Sequence, residues 1–145
     1  AYRQNYLDLD STYRDRYGRP LLRMTFDFHA NEQKQANFIA DICVKIGQAM
    51  GAERVVRRAS PQRYSIVPYQ STHNTGGAAM GTDPKTSALN RYCQTWDVSN
   101  VFITGACAFP QNAGKNPTGP VGALAYWTAD AIKRYLKKPE PLVPV

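Results

Sequence analysis

The sequence has 145 residues, of which 43% are hydrophobic and 20% are charged, and its formal net charge is +7. This length and composition are typical of one soluble globular domain with a sizeable core. The sequence contains neither a signal peptide nor an apolar run near the roughly 18 residues of a membrane span. The positive charge is compatible with nucleic acid, an acidic protein or an anionic membrane as a partner. The basic residues are scattered and show no aromatic interleaving, so we interpret the charge as a solvated surface and predict no nucleic-acid partner.

The first part of the chain predicts strands and an irregular arm. Residues 1–20 show no helical or strand period and predict the arm. Residues 21–28 predict a strand, and residues 53–58 and 63–69 predict two shorter strands. The side chains that would share one face of the first strand are Leu22, Met24, Phe26 and Phe28.

Residues 32–50 predict a helix. Apolar residues recur there at helical spacing, and Cys43 belongs to the same apolar stripe, which predicts a buried thiol. Asn31 is the expected N-cap, and Gly51 can end the helix in the left-handed conformation that glycine adopts at low cost. His29, between the strand and this helix, is interpreted as structural or exposed.

The second part of the chain is richer in small residues. Residues 71–81 form a Gly-rich loop that allows a close approach of backbone to a ligand. Residues 82–99 predict a loop with a short strand at 89–93, and residues 101–104 predict a buried strand.

A final helix is predicted from Pro120 to Lys137, with proline in its first turn and basic residues in its last turn. The proline-rich tail, residues 138–145, is expected to be extended. The apolar stripe predicted for the helix consists of Val121, Leu124, Ala125, Thr128, Ile132, Tyr135 and Leu136.

The cysteine and aromatic residues are interpreted as packing residues and not as metal ligands or sugar-binding residues. The three cysteines have no metal-ligand spacing, an odd number excludes a fully paired framework, and Cys93 alone cannot hold an iron–sulfur cluster. Cys107 lies in an apolar run and is expected to be buried. Tyr64, Tyr69 and Trp96 could stack on a sugar, but core packing is the simpler interpretation.

Two short stretches carry candidate chemistry. His73 heads the Gly-rich loop, and Asn116 begins an Asn-Pro-Thr-Gly-Pro turn that opens into the last helix. Taken singly, a histidine beside glycines is usually a loop residue, and Asn-Pro-Thr is a common turn. The start of a helix, however, offers free N–H groups and a partial positive charge to an anionic group.

Three motifs, in the same order and spacing, resemble those of the glucose-methanol-choline (GMC) oxidoreductase family. Residues 73–81, His-x-x-Gly-Gly-x-x-Met-Gly, resemble the family's His-x-x-Gly-Thr-x-x-Met-Gly, and residues 101–110 resemble its strand ending in Asp-Ala-Ser-x-Phe-Pro. Residues 116–118 match its Asn-Pro-Thr. Within the family, the chain most resembles the flavoprotein subunits of bacterial gluconate 2-dehydrogenase, sorbitol and fructose dehydrogenases.

The resemblance implies residue roles. His73 would accept the proton of the substrate hydroxyl while hydride passes to the flavin of FAD, and Asn116 would hydrogen-bond the same oxygen. No metal site is implied. The residues implied to lie beside FAD are Gly105, Ala106, Pro117, Thr118 and Gly119.

The sequence departs from the family pattern in four ways. Gly77 replaces Thr or Ser, Gly105 replaces Asp, and Cys107 replaces Ser. No Gly-x-Gly-x-x-Gly occurs anywhere in the chain, so the segment that binds the ADP half of FAD in the family is absent here. The isolated chain is therefore expected to be inactive.

The resemblance also implies an architecture. The expected fold class is α+β, with a mainly antiparallel sheet, a packed helix, and a C-terminal strand-loop-helix belonging to the FAD domain of the full-length family. Residues 1–145 would form a single C-terminal domain. Its expected parts are the arm 1–20, a substrate-domain sheet and helix 21–70, catalytic loops and an FAD-facing helix 71–137, and the tail 138–145.

The implied activity is oxidation of a CH–OH group of a sugar, sugar acid or polyol with an electron acceptor other than oxygen. Expected partners are a cytochrome c subunit and a small subunit, and the expected location is the bacterial periplasm or the periplasmic face of the inner membrane. The alternative from another class is a non-catalytic binding module derived from the same family.

Overall fold

The computed structural model describes residues 2–58, 63–67, 72–112 and 114–144. Two helices and a two-stranded antiparallel sheet lie within these ranges and confirm the α+β class. In chain order the elements are β1 (Tyr6–Arg14), β2 (Pro20–Thr25), α1 (Ala30–Ala49), a short 3-10 turn (Ala106–Ala108) and α2 (Thr118–Lys137). They fall into two compact units, one comprising Arg3–Gln70 and the other Ser71–Val145 with the first two residues. The single domain predicted over 1–145 stays a prediction.

The predicted irregular arm over residues 1–20 is wrong, because residues 6–14 form β1 and pair antiparallel with β2. The strand was missed because polar residues interrupt its apolar positions. One of them, Asp8, lies directly opposite Arg23 and forms an ion pair with it. The guanidinium of Arg23 holds the pKa of Asp8 below its ordinary value. Cross-strand charge pairs of this kind help to fix a hairpin register.

The strand predicted over 21–28 is confirmed for residues 21–25, where β2 ends. Phe26 and Phe28 follow it and pack edge-to-face on Tyr64, with ring centroids 4.9 and 6.0 Å from the tyrosine ring. Packing is thus the observed role of Tyr64, whereas Tyr69 lies outside the described residues. The apolar pairs of the hairpin, which are largely exposed, are Leu7 with Met24 and Leu9 with Leu22.

The strands predicted at 53–58 and 63–69 are wrong over the described residues, which form no strand there; residues 68–69 lie outside the described part. The first segment follows α1 instead. The guanidinium Nε of Arg57 lies 2.6 Å from a carboxylate oxygen of Asp41, and the side chain of Val55 fills the space over Gly47. Contact with the helix therefore replaces strand pairing for Val55, whereas Val56 is 64% exposed.

Helix α1 confirms the predicted helix, with a corrected start. His29, and not Asn31, is the N-cap, and its backbone N–H donates to the Glu32 carboxylate at 3.0 Å. This gives His29 the structural role expected of it. Gly51 follows the helix with φ +74°, as predicted.

The apolar stripe of α1 is largely exposed in the described part of the chain. No residue of the helix is buried, and the Phe38 and Ile46 side chains are 65% and 53% exposed. Cys43 is consequently exposed, which corrects its prediction as a buried thiol. The amphipathic pattern predicted the helix correctly, but it did not predict that the apolar side of the helix is exposed.

The core of the second unit combines two residues of the short strand predicted at 89–93 with one residue of the 3-10 turn. Leu89, Cys93 and Ala108 are fully buried and pack together. Isolated bridges join Leu89 to Met80 and to Thr95. The strand predicted at 89–93 is thus reduced to the two bridges of Leu89, and the strand predicted at 101–104 is reduced to one bridge between Phe102 and Gln94. The latter segment is not buried as predicted, because Val101 and Thr104 are exposed. Burial raises the pKa of the Cys93 thiol, as suits the inert role predicted for it.

A buried amide ties the C-terminal tail to this core. The Gln94 side chain is fully buried, and its Oε1 accepts hydrogen bonds from Asn90 Nδ2 at 3.1 Å and from the Leu142 backbone N–H at 2.8 Å. Its Nε2 donates to the carbonyl oxygens of Ser99 at 2.7 Å and Glu140 at 3.5 Å. The non-helical tail, as predicted from its prolines, is thereby fixed on the core by one side chain.

Helix α2 begins at Thr118, earlier than the predicted Pro120, and ends at Lys137 as predicted. Pro120 still lies in the first turn, where a missing N–H costs nothing. Thr128 and Ala131 are buried, and Val121, Leu124 and Tyr135 are half-buried on the same side. Three residues of the predicted stripe, Ala125, Ile132 and Leu136, are instead exposed.

Candidate functional site

His73 stands at the head of the Gly-rich loop in a left-handed backbone conformation, with φ +60°. Residues other than glycine seldom adopt this conformation, although histidine, asparagine and aspartate tolerate it best. Gly76, three positions later, is also left-handed, with φ +85°. The His73 side chain is exposed, and such uncommon backbone geometry is concentrated at functional sites.

Backbone hydrogen bonds hold this loop against the segment after residue 104. The N–H groups of Ala78 and Met80 donate to the carbonyl oxygens of Cys107 and Ala108, each at 2.9 Å. The Nδ2 of Asn112 also donates to the backbone carbonyl of His73 at 3.4 Å. The loop bearing His73 and the segment leading to Asn116 are therefore parts of one local structure.

Gly105 lies at the start of that segment with φ +129° and ψ −177°, a region open essentially to glycine alone. It precedes the 3-10 turn that presents Ala106, Cys107 and Ala108. Gly105 and Ala106 are both half-buried, and so is Cys107, which was expected to be buried. The backbone conformation at position 105 thus favours glycine in this chain.

Replacing Gly105 with alanine should reduce the free energy of unfolding by roughly 1–3 kcal/mol, because the side chain has space but the backbone conformation becomes strained. Urea denaturation measures the change. Gly119→Ala is the matched control, since Gly119 has an ordinary φ and open space around it, and it should be near neutral. Equal losses for the two variants would show that φ at Gly105 carries no cost.

The start of α2 presents the second part of the site. Pro117 is the N-cap and is buried, which anchors the turn, and its carbonyl accepts the Val121 N–H at 2.9 Å. Asn116, Thr118 and Gly119 are all exposed around this anchor. The first-turn N–H groups of Thr118 and Gly119 have no carbonyl one turn earlier in the helix, so they are available to a polar ligand.

The two parts lie in the same compact unit, but His73 and Asn116 do not contact each other through a hydrogen bond within the described residues. Asn112, four positions before Asn116 in the chain, donates to the backbone carbonyl of His73, and it was not singled out from the sequence. Its signal was its place in the Phe-Pro-Gln-Asn stretch, residues 109–112, just before the Asn-Pro-Thr turn. Trp96, a second candidate for a sugar pocket, is half-buried and donates from Nε1 to the Ser87 hydroxyl at 3.0 Å.

The residues present fit one edge of a flavin. An open helix start with an exposed glycine suits a flat ring that carries negative charge, because no side chain at Gly119 blocks the approach. Across the described ranges, no group of three or more His, Cys, Asp or Glu side chains could hold a metal ion. Neither helix in the described part is long and apolar enough to span a membrane.

Comparison with known proteins identifies the class. The family described as GMC oxidoreductase matches residues 1–125. The chain therefore belongs to the GMC oxidoreductase family, which confirms the resemblance drawn from its three motifs.

Three individual relatives are similar to this chain over most of its length. The chain is 53% identical, over 99% of its length, to the gluconate 2-dehydrogenase flavoprotein of Pantoea cypripedii, and it covers 24% of that protein. It is 31% identical over 90% of its length to the 2-methyl-1,2-propanediol dehydrogenase of Mycolicibacterium austroafricanum, covering 23% of it. It is 30% identical over 92% of its length to the fructose dehydrogenase large subunit of Gluconobacter japonicus, again covering 23%. The chain thus spans about a quarter of the length of these relatives.

Proposed function

We propose that this chain is the C-terminal catalytic portion of an FAD-dependent dehydrogenase that oxidises a CH–OH group of a sugar, sugar acid or polyol. One observation carries the proposal: the loop headed by a left-handed His73 is hydrogen-bonded to the segment that leads into Asn116 and the open start of α2. The names of the relatives, which are dehydrogenases of gluconate, fructose and a diol, support this substrate class.

Each residue has a chemical task in this proposal. The exposed imidazole of His73, in its neutral form, accepts the proton of the substrate hydroxyl. The amide of Asn116 donates a hydrogen bond to the same oxygen and orients it. FAD, when bound, supplies the acceptor for the hydride.

The residues that would face the flavin are those around the start of α2 and the glycine turn. The N–H groups of Thr118 and Gly119 can donate to its polar edge, and the buried ring of Pro117 fixes their position. Gly105 and Ala106 offer a close backbone surface. The remainder of the FAD site must come from residues outside this chain, since no dinucleotide-binding fingerprint occurs in it.

The proposal extends to the electron acceptor, the partners and the location. An acceptor other than oxygen is proposed because the 53% identical relative is named a dehydrogenase. A cytochrome c subunit and a small subunit are proposed as partners, since one relative is named a large subunit. We propose the bacterial periplasm, or the periplasmic face of the inner membrane, as the location.

The test is made on the longest natural polypeptide that carries this sequence. It should purify with a flavin absorbance spectrum and reduce an artificial dye when given gluconate, fructose or 2-methyl-1,2-propanediol as candidate substrates. Substrate-free protein and protein stripped of flavin are the controls. A flavin-loaded protein that binds these compounds but reduces no dye with any of them would favour the non-catalytic binding module.

A further inference from the structure

Two arginines and a tryptophan surround the ring of Tyr92 in the unit formed by residues 71–145. The guanidinium carbons of Arg91 and Arg134 lie 5.1 and 4.8 Å from the centroid of that ring. Trp127 stacks on it, with centroids 5.7 Å apart and planes 13° from parallel. Tyr92 itself is 8% exposed, whereas Trp127 is 51% exposed.

One hydrogen bond joins the two elements that form this cluster. The Nε1 of Trp127 donates to the backbone carbonyl of Arg91 at 2.9 Å, which joins α2 to the loop. The Arg134 guanidinium beside the Tyr92 hydroxyl lowers the pKa of that hydroxyl, and Arg91 acts in the same direction. Cation–π contacts with a tyrosine add to the positioning of both arginines.

The charge of the cluster is not balanced within the described residues. Neither Arg91 nor Arg134 forms an ion pair with a carboxylate there. Asp130, one turn before Arg134 on α2, is 3.4 Å from the Nζ of Lys133 instead. Two guanidinium groups held near one hydroxyl repel each other, so the arrangement favours an added negative group.

The donors needed to bind such a group are available. Each guanidinium carries five N–H donors, and a single tyrosine hydroxyl leaves most of them unused. Arg91 and Arg134 are both exposed, so these donors are open to solvent. A pair of guanidinium forks is well matched to a carboxylate or phosphate, which accepts two hydrogen bonds from each fork.

We propose that Arg91 and Arg134, held on the Tyr92–Trp127 pair, form a binding site for an oxyanion, a carboxylate or a phosphate group. The half-exposed indole of Trp127 gives the rest of the ligand an aromatic surface beside the charge. The oxyanion can belong to a free phosphate-bearing molecule or to an acidic segment of a protein. This site is separate from the residues given catalytic tasks above and does not depend on them.

Isothermal titration calorimetry on the full-length polypeptide in low-salt buffer tests the proposal, with inorganic phosphate and a short polyglutamate peptide as separate probes. We expect at least one probe to bind, and Arg91→Ala and Arg134→Ala each to weaken it at least about tenfold, the usual loss for a charge-assisted hydrogen-bond pair. Lys133→Ala is the matched control, because Lys133 is an exposed cation next to Arg134 on the same helix. It should change affinity less than about twofold.

Two further measurements complete the test. Thermal unfolding shows whether each variant is folded. Tyr92→Phe keeps the stacked ring but removes the hydroxyl that both arginines share, so this variant should weaken binding to an intermediate extent. Stronger binding of phosphate identifies a free phosphate-bearing ligand, and stronger binding of the peptide identifies an acidic protein segment. No binding of either probe to the wild type, or wild-type affinity in the Arg91→Ala/Arg134→Ala double variant, overturns the proposal.

Discussion

In the flavin-loaded full-length polypeptide, the base role proposed for His73 predicts that His73→Asn lowers kcat by about 10²–10⁴-fold, the range that a positioned general base contributes. Asparagine is the most informative substitution here, because it tolerates the left-handed backbone of His73 but its side-chain amide is not a base. Steady-state kinetics with dye reduction measures the loss, and kcat and kcat/KM should fall together, because the lost interaction belongs to the transition state. Flavin content, read from absorbance, should not change.

The same substitution at the only other histidine is the control. His29 is the N-cap of α1, a position that asparagine fills well, so His29→Asn should leave kcat unchanged. If the His73→Asn enzyme keeps more than about a tenth of the wild-type kcat, the general-base assignment fails.

Gln94→Leu should destabilise the second unit by roughly 2–5 kcal/mol, because leucine fills a similar volume but leaves partly buried backbone groups without partners. The groups that would lose a hydrogen-bond partner include the Leu142 N–H and the Ser99 carbonyl. Native-state hydrogen exchange reports the effect locally, and exchange of the Leu142 amide should accelerate by about 10²-fold or more.

Gln111→Leu is the comparison for this prediction, because Gln111 is exposed in the same unit and its replacement should shift stability by less than about 0.5 kcal/mol. Unchanged exchange at Leu142 in Gln94→Leu would mean that other contacts hold the tail in place.

The sequence predicted the parts of the fold that depend on local pattern. Both helices follow from the spacing of apolar residues, and Gly51 ends α1 as its position indicates. Residues 6–14 were missed, because a strand with Asp8 and Asp10 on it resembles a polar arm until its partner strand is known. Residues 53–58 were predicted to form a strand but form none, because Val55 packs on α1 and not on a neighbouring strand.

The candidate site divides in the same way. His73 and Asn116 were found through motifs, which are local in sequence. Other features depend on segments far apart in the chain. They are the hydrogen bond from Asn112 to His73, the conformation of Gly105 and the burial of Gln94. A buried amide such as Gln94 looks like surface in a sequence, because only its several partners make its burial favourable.

The left-handed backbone at residue 73 also limits how this site can evolve. Of the residue types that accept this conformation readily, which are glycine, asparagine, aspartate and histidine, only the last two can take up a proton. Aspartate would bring a negative charge to a hydroxyl that is about to lose its own proton, whereas imidazole is neutral when it is ready to act. If His73 has the proposed role, few substitutions at residue 73 would keep both the backbone conformation of the loop and a neutral base at that position.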